Sequence, residues 1–344
     1  MNRLVSTVLV LVLLASAQAV AWGVELGVHG DRFTLDGKPT FLLGCSYYGG
    51  LGASEQTVRS DLDEIQRHGF NWIRVFADWT PYSDLSAVDG VTGEPRQPYL
   101  SRLQALCEEC NRRGMVVDVT LARGKGPKRQ PLLRDLPAHQ RAVQTLVTSL
   151  AKWKNWYLDL ANERNVGDAR FVSIEELADL RQAARKLNPR LLVTASNGGD
   201  ASYEDLRAYF QTAHLDFLSI HRPRDAKAAS DGAEMTRQYR TWIREIGPAV
   251  PLQYDEPFRR GYGGWEPTAA DFSRDLDACR RAGAAGWCFH NGDTRTTPDR
   301  QPRRSFDLRT RSLFEQLDSE ERKFLATLSA ASVSHENGQL NYPN

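Results

Sequence analysis

The chain has 344 residues, 25% charged and 41% hydrophobic, with 44 Lys+Arg against 43 Asp+Glu. Its length suits one large domain or two average ones, and ordinary Gly and Pro usage excludes a collagen-like, low-complexity or disordered chain. A net charge of +1 lacks the basic footprint of a nucleic-acid binder or a polybasic membrane-surface protein.

Residues 1–21 open with one cation, Arg3, then an apolar run from Leu4 to about Ala15. Small-x-small sites follow, predicting cleavage after Ala19 or Ala21. The run is shorter than the ~20 residues a spanning helix needs, so it reads as a secretory signal. A secreted protein, extracellular or periplasmic, is expected, with no membrane attachment after cleavage. Losing Arg3 leaves 43 basic against 43 acidic residues.

Val24–Asp36 predicts a hairpin, turning at His29-Gly30-Asp31 and at Asp36-Gly37. Then a beat repeats eight times, an apolar or β-branched run followed by an amphipathic stretch. The runs are Thr40–Cys45, Asn71–Ala77, Met115–Leu121, Trp156–Leu160, Leu191–Ser196, Leu215–Ile220, Pro251–Tyr254 and Ala284–Phe289. Continuous apolar runs suit strands buried on both faces, as in a parallel sheet. Ser173-Ile174-Glu175-Glu176 is a capping box, opening a helix that stops at Asn188-Pro189. Gly69, Gly114 and Gly283 stand where a left-handed helix end is wanted before a strand. A last helix is predicted from about Arg311 to Leu328.

Eight such units, with no Gly-rich phosphate loop after the first, predict a single (β/α)8 TIM barrel rather than an open doubly wound sheet. The expected division is signal 1–21, barrel 22–330 and flexible tail 331–344. The five cysteines, Cys45, Cys107, Cys110, Cys279 and Cys288, are expected to be mostly buried thiols, with one bridge left open. Cys107-x-x-Cys110 lacks a second pair and falls in a helical pattern, so no zinc site is expected.

Such a barrel carries its site at the carboxyl ends of its strands. The first run is followed by Ser46-Tyr47-Tyr48, and the second carries Arg74, then Asp78-Trp79. The fourth ends in Ala161-Asn162-Glu163, the sixth in His221, the seventh in Asp255-Glu256, and the eighth runs through Trp287 to His290. Glu163 and Glu256 would face each other across the mouth. Paired carboxylates are what glycosidic cleavage needs, one protonated for the leaving oxygen and one ionised to attack the anomeric carbon.

These residues, with Phe33-Thr34-Leu35-Asp36-Gly37-Lys38-Pro39 before the first barrel strand, resemble the clan A glycoside hydrolases. The closest pattern is the cellulase/mannanase-like family 5, over residues 24 to 328. The resemblance implies a retaining β-glycoside hydrolase acting on a polysaccharide or oligosaccharide, with Glu163 as acid/base and Glu256 as nucleophile. It further implies that Asn162 bonds the sugar 2-hydroxyl, Arg74 keeps the nucleophile ionised and Trp287 is a sugar platform. His221, Trp79 and Tyr47 join the expected substrate-binding set, with Tyr48 a further aromatic candidate. Trp72, Trp153 and Trp156 read as packing residues, Trp72 turned away from the lumen.

The pattern departs from the family twice. A Tyr expected two residues after the sixth-strand His is absent, His221-Arg222-Pro223 being followed by Arg224. The third strand ends in Leu121-Ala122-Arg123-Gly124 without the family's His. A catalytically inactive carbohydrate-binding barrel is therefore the alternative. A lyase or aldolase would want a strand-end Schiff-base Lys or a His/Asp metal cluster, and neither is seen. No cofactor or metal is implied, the expected partner is a β-linked glycan, and a monomer is expected. Arg123, Lys125, Lys128 and Arg129 after the third strand, with Arg222 and Arg224 after the sixth, suggest attraction of acidic glycans.

Overall fold

The computed structural model describes residues 23–122, 132–166, 170–262, 264–292 and 306–336. The leader and most of the third-strand basic loop, with Arg123, Lys125, Lys128 and Arg129, lie outside them, as do 337–344.

Strands β1 (Leu26–His29), β2 (Arg32–Leu35) and β3 (Lys38–Thr40) form an antiparallel sheet, one strand more than the expected hairpin. Nine further strands are parallel: β4 (Leu42–Ser46), β5 (Trp72–Phe76), β6 (Val116–Thr120), β7 (Trp156–Asp159), β8 (Val193–Thr194), β9 (Ser196–Asn197), β10 (Leu218–His221), β11 (Leu252–Glu256) and β12 (Gly286–Phe289). Their order is β8-β7-β6-β5-β4-β12-β11-β10-β9. Only Ala195 separates β8 from β9, which are two halves of one strand, so the row closes on itself as the predicted (β/α)8 barrel.

Around it stand α1 (Glu55–Arg67), α2 (Tyr99–Arg112), α3 (Leu136–Ser149), α4 (Ile174–Leu187), α5 (Tyr203–Gln211), α6 (Ala228–Ile246) and α7 (Ala269–Ala282). The Ser173–Glu176 capping box opens α4, and Gly69, Gly114 and Gly283 take left-handed φ of 80°, 70° and 98°. The single last helix expected from Arg311 is instead two, α8 (Leu313–Gln316) and α9 (Ser319–Glu336). Leu317 is extended, and Asp318 accepts hydrogen bonds from the backbone amides of Glu320 and Glu321, both 2.9 Å, restarting the helix. α9 also runs through 331–336, where the sequence suggests a flexible tail. All five cysteines are buried thiols. No helix of the described residues is long and apolar enough to cross a membrane.

The lumen is layered. Its amino end is apolar, with Leu26 and Phe33 of the small sheet plugging it against Leu42, Trp72, Val116, Tyr157 and Phe217. Trp72 faces this lumen after all, because it shares strand parity with Arg74. Gly44 makes room for it, since a Cβ there would lie 2.2 Å from the indole. Above sits a polar layer in which Tyr157 Oη donates to Asp118 (3.0 Å) and Gln253 Nε2 donates to Tyr157 Oη (2.8 Å). The charged residues crowd the carboxyl end, where the strands open.

Candidate active site

Arg74, fully buried on β5, organises the carboxyl end. Its Nη1 lies 2.9 Å from Glu256 Oε1, Nη2 lies 2.8 Å from Asp159 and 3.4 Å from Asp255, and Nε lies 3.1 Å from Asp118. Nη2 also donates to Asn162 Oδ1 at 3.1 Å. The planar guanidinium, with five donors on three nitrogens, meets four acids at once, more than the three donors of one ammonium can.

These carboxylates divide. Burial, with Asp159 and Asp255 nearby, raises Asp118 well above the usual range despite Arg74, and burial likewise raises Asp159. Asp255 goes the other way, because Arg74 and His221 outweigh its burial and hold it low. Asp255 and Glu256 are consecutive, yet both reach this cluster. The β10–β11 register passes from Ile220↔Tyr254 to His221↔Glu256, leaving Asp255 as the extra residue of a bulge. Bulges beside active sites re-aim side chains in this way.

His221 lies between the two predicted catalytic acids, its Nδ1 3.0 Å from Glu163 Oε1 and 3.6 Å from Glu256 Oε2. Burial disfavours the imidazolium, but Glu256, Asp255 and Glu163 outweigh it and raise the ring to about 9. Against them, Nε2 lies 3.2 Å from Arg74 Nη1, where only a neutral ring can accept. The ring is thus set between a guanidinium that favours its neutral form and carboxylates that favour its charged form.

Glu163 and Glu256 approach closely, with one oxygen of each within 4.8 Å of the other and of a His221 nitrogen. Glu163 is the more open, its side chain 20% exposed against none for Glu256. Its backbone is left-handed, φ 49°, uncommon for a non-glycine residue and a conformation in which functional sites hold strain. The Glu163 amide is fixed by Ser196 Oγ at 3.1 Å. The trio is near enough for one metal ion, but Arg74 and Arg224 already set two positive charges against Glu256.

Glu256 is held from further sides. Tyr48 Oη donates to Oε1 at 2.9 Å, Arg224 Nη2 donates to Oε2 at 2.7 Å, and His290 Nε2 stands 3.8 Å from Oε2. Tyr48 and Arg224 thus give Glu256 side-chain donors, the kind of contact that the resemblance assigns to the absent Tyr.

Three expected binding residues lie elsewhere. Trp287 is wholly buried against the helices, its Nε1 donating to Asp275 at 2.8 Å on α7 and its ring edge-on to Phe324. It offers no face to a sugar. Tyr47 is also turned outward, donating to Asp61 of α1 at 2.9 Å. Alternation along the chain sends Ser46 and Tyr48 inward and Tyr47 out. Trp79 is 2% exposed and packs on Tyr48 and Phe76, with centroids 5.4 and 4.9 Å away. It supports Tyr48 from behind. Arg74, Asn162, Glu163, His221 and Glu256 do converge.

Asp118, Asp159, Asp255, Tyr48 and Arg224 complete the cluster; the sequence offers Tyr48 as an aromatic candidate and Arg224 as a basic loop residue, neither as a partner of Glu256, and gives the three aspartates no role. Two carried a signal, since Asp118 and Asp159 interrupt otherwise apolar strands. Of the basic residues after the sixth strand, Arg222 is engaged by Asp231 and by Asp200 at 3.2 Å, leaving Arg224 at the mouth. A separate groove of about 420 Å³ between α1 and α2, lined by Val58, Pro98, Arg102 and Leu106, touches none of these residues.

The chain has the fold of the clan A glycoside hydrolases of family 5. A family 5 mannosidase from Rhizomucor miehei matches with TM-score 0.62 and 12% identity, over 91% of this chain and 98% of that one. The exo-β-1,4-mannosidase Op5Man5 from Opitutaceae bacterium strain TAV5 matches with TM-score 0.58 and 18% identity, over 89% of this chain and 62% of its own longer one. A family 5 glycoside hydrolase from Bacteroides vulgatus matches with TM-score 0.63 and 15% identity, over 86% and 68%. No protein-family model and no curated protein sequence matches the chain.

Proposed function

We propose that the protein is a secreted retaining β-glycoside hydrolase. The observation that carries this reading is the pairing of Glu163 and Glu256 within 4.8 Å at the barrel mouth. That approach suits the ~5–5.5 Å carboxyl spacing of retaining enzymes better than the ~6.5–9.5 Å of inverting ones. Glu256, ringed by donors from Arg74, Arg224 and Tyr48, attacks the anomeric carbon. Glu163, at the open lip, protonates the leaving oxygen, giving a glycosyl ester on Glu256. A water deprotonated by Glu163 then attacks that carbon, releases Glu256 and restores the original configuration. A His221 Nδ1–H donated to Glu163 Oε1 leaves the other oxygen to carry the transferable proton. The apolar leader at 1–21 supports secretion. The similar structures are named mannosidases and a glycoside hydrolase, so β-mannosides belong among the first substrates tested.

Reducing-sugar release from a panel of β-linked glycans tests the reading, with product configuration followed by NMR. Glu256→Gln is expected to abolish turnover. Glu163→Gln is expected to lower it by about 10²–10⁴-fold, the usual worth of a general acid. Full activity in either variant sinks the assignment.

One observation favours the non-catalytic alternative, namely that Glu256 has no exposed surface and Arg224 covers Oε2. Glycan binding by calorimetry without any turnover would select it.

A further inference from the structure

Arg224 meets both acids, as His221 does, but from the open side, its side chain 14% exposed where that of His221 is wholly buried. Its Nη2 lies 2.7 Å from Glu256 Oε2 and 3.7 Å from Glu163 Oε1, so it bridges the two acids across the space a sugar must enter. Arg74, by contrast, holds Glu256 from inside the lumen on Oε1. Substrate can arrive with Arg74 in place, whereas Arg224 must give way.

The Arg224 guanidinium is also half used. Nε is buried with no hydrogen-bond partner, beside an Nη2 committed to a single carboxylate oxygen. Nε of Arg181, Arg185, Arg222 and Arg259 is left in the same way, and among these five arginines Arg224 is set apart by its place beside both acids. The guanidinium lies over the ring of Tyr262, 4.6 Å from its centroid, and that residue is 45% exposed, so the site borders solvent. Arg259 lies over the same ring at 5.1 Å.

A neutral sugar entering this space would separate Arg224 from Glu256 and offer only hydroxyls in exchange. Separating a buried ion pair without a replacement charge is strongly unfavourable. A sugar that carries its own carboxylate replaces the lost partner like for like, and two parallel N–H···O bonds from the arginine fork suit that group. We propose that Arg224 is a specificity-determining residue that exchanges its bond to Glu256 for the carboxylate of a uronic-acid residue, so that the substrate is an acidic β-glycan. On exchange, Glu256 Oε2 is freed for attack, while Arg74 and Tyr48 still hold Oε1. The inference rests on the reading of Glu163 and Glu256 given above.

The full chain is tested on matched 4-nitrophenyl β-glycosides, each neutral gluco, galacto and manno compound paired with its uronic-acid counterpart. Wild type, Arg224→Lys and Arg224→Met are compared in kcat/KM. Calorimetric titration of Glu163→Gln with the same compounds reads binding without needing turnover. At least one acidic compound should be preferred over its neutral partner by about tenfold or more, the worth of roughly 1.4 kcal/mol. Arg224→Met should erase that ratio, and Arg224→Lys should keep part of it. A merely structural arginine would lower both members of a pair alike. Acid-selective binding with no turnover of any compound would remove the hydrolase reading and leave the role of Arg224 standing. Neutral compounds used or bound as well as acidic ones, an acid preference unmoved in Arg224→Met, or no binding of any acidic compound would overturn it.

Discussion

Arg74 Nη1 lies 2.9 Å from Glu256 Oε1, with both side chains wholly buried. The same guanidinium meets Asp118, Asp159 and Asp255, so it is the counter-charge for the whole carboxyl end of the lumen. Arg74→Met leaves these acids facing one another, and breaking a buried pair in this way costs about 3–5 kcal/mol. Chemical denaturation should show a loss of that order. Arg74→Lys should recover only part of it, because one ammonium cannot replace contacts from Nε, Nη1 and Nη2. Stability equal to wild type in Arg74→Met would contradict this role.

His221 gives the fold a pH dependence. Its folded value of about 9 lies above the ordinary 6.5, so its stabilising effect is complete below about pH 6.5 and is lost as pH rises toward 9. At about 1.4 kcal/mol per pKa unit the loss is at most roughly 3.5 kcal/mol. Denaturant midpoints from about pH 6 to about pH 10 should fall for wild type and stay flatter for His221→Gln. Equal slopes would mean that the ring stays neutral and accepts from Arg74.

The neighbouring tyrosines should part company. Tyr48→Phe removes a hydroxyl from Glu256, so the acid limb of the proposed nucleophile in the pH–rate profile should move to higher pH. The turnover number should drop by about tenfold, the worth of a hydrogen bond to a charged group. Tyr47→Phe removes a bond to Asp61 instead. It should lower stability while the profile stays in place.

Trp287 tests the core assignment. Trp287→Phe strips a donor from Asp275, whose burial already raises it to about 6. Leaving that acid short of a partner should cost about 1–3 kcal/mol. The Michaelis constant for any glycan should be unchanged; a large rise would restore Trp287 to the binding surface.

The barrel was legible because every strand is buried on both faces and so is written as an apolar run, while Gly69, Gly114 and Gly283 mark helix ends by a backbone rule that acts locally. Glu163 and Glu256 were legible because strand ends in such a barrel converge wherever the runs stop. The aromatic residues were not, since an indole or phenol suits a core as well as a sugar site. For Tyr47, Tyr48 and Trp287 only strand direction decides which, and one residue of register reverses it. Trp72 is misread for the same reason, although its parity with Arg74 is there to be counted. Asp255 escapes alternation altogether through the β11 bulge. What the amino-acid order determined by itself was the repeat of strand and helix and the acids at strand ends. Which groups surround those acids, Tyr48 and Arg224 among them, was decided by tertiary closure, because ion pairs between residues far apart in the chain depend on geometry that no local pattern encodes.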